Sequence, residues 1–242
     1  LEIVLENIQK AYGKRTVVNH ASLSVAQGEV VGLLGANGAG KTTLFHIAIG
    51  LEKPHQGTVW LGDRNITDLA MHQRANLGIS YLPQEASIFR HLTVRDNILL
   101  ILEQSSVPQS LRHHRLDQLL REFRLEPIAS TPGIRVSGGE RRRTEIARAL
   151  ASGKDGPKFL LLDEPFAGVD PITVAEIQAI ISHLRDRQLG ILITDHNVRE
   201  TLAITDRAYI MQEGEILAAG NVEDLYENPF VRQHYLGKDF QL

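Results

Sequence analysis

Apolar residues in the first third of the chain recur at alternate positions or in short unbroken runs. Ile3-Val4-Leu5, Val17-Val18, Leu23-Ser24-Val25 and Val30 to Leu34 predict four strands within the first 35 residues. Gly57 to Asp63 reads as a strand entering a turn, and Leu77 to Leu82 as a short strand stopped by Pro83. From about residue 85 to 150 the period lengthens, and Leu116, Leu119, Leu120 and Phe123 carry helical spacing. Ser105 to Pro108 predicts a loop, and Pro127 and Pro132 break the pattern again. This block reads as a helical subdomain inserted between parallel strands. Phe159 to Leu162 and Ile191 to Thr194 are apolar runs of the kind buried on both faces of a parallel sheet, with a helix expected over 174–187 between them. A strand, helix, strand order predicts an α/β core with ligands at the carboxyl ends of its strands.

Composition narrows the class. At 242 residues the chain can bury a sizeable core. Its formal charge of −3 carries no nucleic-acid footprint. With no cysteine, a disulfide or thiolate metal site is excluded, which fits a reducing compartment. No run approaches the length of a membrane span, and no signal sequence is evident. The start at Leu1 rather than a methionine predicts that a few residues were removed ahead of it.

The residues Gly35, Ala36, Asn37, Gly38, Ala39, Gly40, Lys41 and Thr42 follow the Val30–Leu34 run directly. A strand feeding G-x-x-x-x-G-K-[ST] is a phosphate-binding loop, whose glycines let backbone N–H groups curl around an anion. A helix expected near Lys41 adds its positive end. Lys41 supplies a point charge for the outer phosphates, and Thr42 a hydroxyl for Mg²⁺. The plain alternative is a chance Gly-rich turn. The preceding strand and the apolar Leu44-Phe45-x-Ile47-Ala48 pattern argue against it.

Two other strands end in charged residues. Phe159 to Leu162 runs into Asp163-Glu164-Pro165, and Ile191 to Thr194 into Asp195-His196. Both ends fall at the sheet edge where the phosphate loop opens. Asp163 is then placed to hold Mg²⁺ through its water shell. Glu164 can orient the attacking water as general base. His196 can reach a γ-phosphate. The competing reading is solvated loop carboxylates. His113 and His114 read as solvated.

Ser137-Gly138-Gly139-Glu140 precedes a helix expected from Arg141 to Leu150. A capping box accounts for Ser137 and Glu140. It does not account for two glycines, each costing about 1 kcal/mol against alanine in a helix. Close approach of a phosphate or another backbone would account for them. Arg141, Arg142 and Arg143 read as a solvated or packing face. Two phosphate-binding helix starts in one chain predict a head-to-tail homodimer, each copy giving one of them to each ATP.

These motifs, in this order and over nearly the whole chain, resemble the ATP-binding cassette (ABC) ATPases. The resemblance implies an α/β fold, a single domain over 1–242: a P-loop ATPase core with an N-terminal antiparallel β subdomain and a helical subdomain over about 85–150. It implies ATP and Mg²⁺ as ligands, with Gly35 to Thr42 as the Walker A loop, Thr43 also at the nucleotide, and Thr42, Gln84 and Asp163 around the metal. Tyr12 resembles the aromatic that stacks on adenine, and Gln84 the Q-loop glutamine that couples to membrane subunits. Val136 to Glu140 resembles the Leu-Ser-Gly-Gly-Gln signature, departing at 136 and 140. Leu160 to Glu164 resembles Walker B, Gly168-Val169-Asp170 the D-loop, and His196 the switch histidine.

Four segments are similar to the lipopolysaccharide-export branch of Gram-negative bacteria: Tyr81 to Arg90, Ser137 to Arg143, Leu192 to Leu202, and the tail Tyr235 to Phe240. That likeness implies a homodimer on the cytoplasmic face of the inner membrane, docked on two integral membrane subunits. Those subunits, rather than this chain, would touch the cargo. It also implies that Phe89 and Arg90 line a groove for a coupling helix; the alternative for Phe89 is ordinary packing. Ser152 to Pro157 looks slightly longer than the family's usual connection. The rivals are a branched-chain amino-acid importer ATPase, a soluble ABC protein acting on ribosomes or DNA, and a P-loop kinase. The last two fit poorly: soluble forms carry two cassettes or a long coiled coil, and a kinase needs no Ser-Gly-Gly helix.

Overall fold

The structure, a computed structural model, describes residues 1–105, 107–153 and 155–232. The tail segment Tyr235 to Phe240 lies outside the described residues.

Strands β1 (Glu2–Tyr12) and β2 (Arg15–Ala26) form a long antiparallel hairpin. Alternation buries Ile3 and Leu5, then shifts so that Ile8 re-enters the core; Asn7 between them has φ +49°. His20, with φ +50°, makes the matching shift from Val18 to Ala21 in β2. These are bulges, each adding one residue and flipping the inward parity. Val17-Val18 and Leu23 to Val25, expected as separate strands, therefore lie in one.

The chain continues through β3 (Val30–Gly35), α1 (Lys41–Ile49), β4 (Gln56–Leu61), β5 (Arg64–Asn65), α2 (Met71–Asn76) and β6 (Ile79–Leu82). Helices α3 (Val94–Gln104), α4 (Gln109–Glu122) and α5 (Gly138–Leu150) follow, with short 3₁₀ turns at Glu126–Ile128 and Gly133–Arg135 where prolines interrupt. Then come β7 (Phe159–Asp163), α6 (Pro171–Asp186), β8 (Gly190–Asp195), α7 (Val198–Leu202), β9 (Arg207–Gln212), β10 (Glu215–Asn221), α8 (Val222–Glu227) and α9 (Pro229–Val231).

Two sheets result. One is antiparallel, ordered β2-β1-β4-β5; the other is ordered β10-β9-β3-β8-β7-β6, parallel from β9 to β6 with β10 antiparallel at its edge. The parallel strands are buried on both faces, as their unbroken apolar runs require. Leu160, Leu162, Ile191 and Ile193 pack against the helices from α3 to α6. Leu161, Leu192, Val31 and Leu33 face α1 and the antiparallel sheet. The β3, β7 and β8 carboxyl ends are thereby fixed side by side from both sides. Among the described residues no helix is long and apolar enough to cross a membrane.

Candidate active site

The loop between β3 and α1 closes on its own lysine. Lys41, 6% exposed, donates from Nζ to the carbonyls of Gly35 at 2.7 Å and Ala36 at 3.1 Å. Burial lowers its pKa, opposed by the nearby carboxylates of Glu164, Asp163 and Asp195. Gly40 sits at φ +107°, and a Cβ there would meet the Val17 carbonyl oxygen at 2.5 Å. Only glycine tolerates both conditions. Ala36, Asn37, Gly38 and Thr42 are exposed, Ala39 is buried and Thr43 is half-buried. Helix α1 has no side-chain cap and no acidic residue in its first turn. Its first N–H groups are therefore left for an anion. This donor set fits the phosphates of a nucleotide.

Asp163 ends β7 nearly buried, its Oδ1 accepting from Thr194 Oγ1 at 2.5 Å and its Oδ2 from Tyr81 OH at 3.5 Å. Burial and the Asp163 charge push the Tyr81 hydroxyl pKa up. Two donors fix the carboxylate's orientation while leaving lone pairs for a hydrated cation. Glu164 follows at φ +45°, a strained conformation for a non-glycine residue. Its Oε2 accepts from Gln84 Nε2 at 2.8 Å, and His196 Nδ1 lies 3.3 Å from the same oxygen. Three residues from separate strand ends thus meet beside Lys41. Asp195 is fully buried and binds the Phe166 and Asn197 N–H groups, and burial raises its pKa.

The Ser137–Glu140 segment is a capping box, as expected: Ser137 Oγ accepts from Glu140 N at 3.3 Å, and Ser137 N donates to Glu140 Oε2 at 2.8 Å. That hydrogen bonding lowers the Glu140 pKa. The helix starts at Gly138, three residues ahead of expectation. The glycines have different reasons. A Cβ on Gly139 would strike Thr173 Oγ1 at 2.8 Å, so close packing of α6 accounts for it. A Cβ on Gly138 would meet nothing within 4 Å, so no atom of the described residues requires glycine there. Among the described residues no hydrogen bond or ion pair joins Ser137–Gly139 to Gly35–Thr43. Asp170 caps α6, accepting from the N–H groups of Ile172 and Thr173 and from Thr173 Oγ1.

Tyr12 is exposed at the end of β1, with Lys10 Nζ 5.5 Å from its ring centroid. Phe89 is exposed, lies under the Arg148 guanidinium at 5.0 Å, and has its backbone pinned by Asn97. Arg90 is exposed beside it. Sequence reasoning assigned no role to Thr194, Tyr81 or Asp195; the strand-end position that singled out His196 applied equally to Asp195. It also grouped three arginines that the fold separates. Arg141 is exposed, Arg143 pairs with Glu176 at 2.5 Å, and Arg142 is buried behind the catalytic edge.

The model of the ABC transporter family matches residues 18–167, spanning every strand and helix that builds the Gln84–Glu164 contact. The chain belongs to the ABC transporter family. It is an ATP-hydrolysing subunit of that family, the ATPase partner of a transport step. A lipopolysaccharide export system ATP-binding protein, LptB, from Acidithiobacillus ferridurans is 53% identical over 98% of this chain and 97% of its own length. The ADP conformation of an ABC transporter cassette superposes with a TM-score of 0.86 at 26% identity, over 98% of this chain and 100% of that one. A dimeric bacterial ABC transporter cassette gives 0.79 at 25% identity, over 91% and 98%. The family fold and its ATPase chemistry agree with the expectations from sequence.

Proposed function

We propose that this chain is the ATPase that powers extraction of lipopolysaccharide from the inner membrane, as a homodimer on the cytoplasmic face of two integral membrane subunits. The meeting of Gln84, Glu164 and His196 beside Lys41 carries the catalytic part of this reading. The likeness to a lipopolysaccharide-export ATPase over nearly both full lengths supports the cargo.

ATP binds with its phosphates on the amides of Gly35 to Thr43 and on Lys41, its adenine against Tyr12. Thr42, Gln84 and Asp163 would hold Mg²⁺, which supplies charge neutralisation at the outer phosphates. Two chains close over two nucleotides, each offering Ser137, Gly138, Gly139 and Glu140 to its partner's ATP and meeting at the Asp170 loops. Glu164 accepts a proton from the attacking water, and His196 holds the γ-phosphate end in line. Contacts made only in the closed dimer let ATP drive closure. Reopening moves a membrane partner's helix against Phe89 and Arg90, which sit on the segment that begins at Gln84. Neither nucleic acid nor the lipid cargo touches this chain.

The test is to purify the tagged chain from Gram-negative membranes and identify what accompanies it by mass spectrometry. Two lipopolysaccharide-export membrane subunits with bound glycolipid are expected. Amino-acid importer subunits would keep the ATPase and overturn the cargo. Recovery without membrane subunits would overturn the transport reading.

A further inference from the structure

Helix α5 reaches the catalytic edge of its own chain through two side chains three residues apart. Arg142 is 6% exposed and Glu145 2% exposed. The Arg142 guanidinium spreads over four backbone carbonyls: Pro83 at 3.1 Å, Asp163 at 3.3 Å, Glu164 at 3.2 Å and Pro165 at 3.3 Å. It also pairs with Glu145 Oε2 at 3.3 Å. Glu145 Oε1 in turn accepts the N–H groups of Ser87 at 2.7 Å and Ile88 at 3.1 Å.

The carbonyls are of one kind. Strand β7 ends at Asp163, and the left-handed turn at Glu164 carries the chain out of the ladder. Backbone oxygens leaving a sheet inside a protein need donors. A planar guanidinium with five N–H groups can serve all of these acceptors at once, whereas an ammonium has only three N–H groups. Burying that cation is costly unless it is paired and fully hydrogen-bonded, and here it is both. Pro83 directly precedes Gln84, and Gln84 returns to Glu164 through its side chain. The contacts therefore close a ring: Arg142, Pro83, Gln84, Glu164 and back to Arg142.

We infer that Arg142, with Glu145, is a positioning residue that fixes the Glu164 backbone and the Gln84 segment to the helix that begins with Ser137–Gly139. In the proposed dimer, one side chain of α5 thereby ties the carboxylate that acts on the chain's own nucleotide to the helix whose start faces the partner's nucleotide. The inference rests on the head-to-tail dimer proposed above. Arg142 touches no reacting atom; it acts through Glu164 and Gln84.

The test uses the full chain with Arg142→Met and Glu145→Gln together, so that no buried carboxylate is left unpaired and residue 145 can still accept from Ser87 and Ile88. Steady-state ATP hydrolysis, affinity for a fluorescent ATP analogue and thermal melting are measured. A positioning role predicts a kcat lower by about tenfold or more, because small misplacements of reacting groups are costly. KM and analogue affinity should stay within about twofold, the signature of an interaction expressed only in the transition state. Arg142→Lys with Glu145 retained should recover part of kcat, its ammonium reaching one or two of the carbonyls. A kcat equal to that of the unsubstituted chain overturns the inference. So does a parallel fall of kcat, affinity and melting temperature, which would make the pair a scaffold element. Absence of hydrolysis in the unsubstituted chain would instead overturn the proposed function together with this inference.

Discussion

Gln84 and Glu164, 80 positions apart in the chain, are joined by a hydrogen bond of 2.8 Å from Nε2 to Oε2. The segment that begins at Gln84 thereby touches the carboxylate proposed to act on water. His196 Nδ1 approaches the same oxygen at 3.3 Å. With both neighbours on Oε2, the proposed base would receive the proton of water at Oε1. Under the proposed function, a membrane partner that displaces the Gln84 segment would act directly on this carboxylate.

Glu164→Gln should therefore remove turnover while keeping the nucleotide. General-base catalysis contributes roughly 10²–10⁴-fold, and the loss should be of that order. The amide keeps the shape of the side chain, so the ATP-bound dimer should accumulate. Phosphate release and gel filtration with ATP check both halves. A variant hydrolysing at the unsubstituted rate would remove Glu164 from the role of base.

Gly138 and Gly139 should respond oppositely to alanine. The open space around Gly138 predicts that Gly138→Ala leaves the single chain as stable or more stable, by up to about 1 kcal/mol from helix propensity. Its ATP affinity should be unchanged while hydrolysis falls, because in the proposed dimer the new methyl group would face the partner's nucleotide. Gly139→Ala forces Thr173 aside and should lower the melting temperature. Lost ATP binding by the Gly138→Ala monomer would mean that this helix start serves its own nucleotide.

The parts of this site that could be read from sequence are those whose constraints are local. The phosphate loop is written in contiguous glycines, and β7 and β8 in runs that only a doubly covered strand needs. Helix α6 was expected from residue 174 and starts at Pro171; the Asp170 cap and a proline in the first turn were available signals. Helix α5 was expected late because glycines depress propensity, while its capping box sets the start. Arg142 was not legible. One arginine among three on a helix reads as solvated, and its burial depends on how segments 83–88 and 163–165 approach from elsewhere in the chain. The Asn7 and His20 bulges were hidden for a similar reason, since neither residue type marks a bulge by itself.

Burial works against the charge that Lys41 brings to the phosphate loop. Burial lowers its pKa, so the folded chain disfavours the ammonium that the unfolded chain keeps. The resulting cost is present at neutral pH. It is relieved as pH rises from the lowered value toward the ordinary 10.5. Lys41→Met should then melt at the same or a higher temperature without nucleotide. The rise that ATP gives the unsubstituted chain by mass action should disappear. Thermal melting with and without ATP measures both. A lower melting temperature without nucleotide would show that the bonds to Gly35 and Ala36 outweigh the burial cost.

The Asp170 cap predicts an acid-sensitive contribution of definite sign. Its carboxylate is hydrogen-bonded first by the Thr173 side chain and then by backbone N–H groups, which holds its pKa below the ordinary 3.8. A group whose folded value is depressed stabilises the fold above its unfolded value, and that stabilisation is lost as pH falls through the folded value. Asp170→Asn keeps an oxygen acceptor for Ile172 and Thr173 but removes the charge near the positive end of α6. The unsubstituted chain should melt higher than Asp170→Asn by a constant margin from neutral pH down to about 5, well above the titration. The margin should narrow below 3.8 and close once Asp170 is protonated in both states. Melting curves of the two proteins across this range decide it. A margin that persists after protonation would trace to the lost acceptor geometry of the second oxygen, and a margin absent at neutral pH would remove the charge from the cap's contribution altogether.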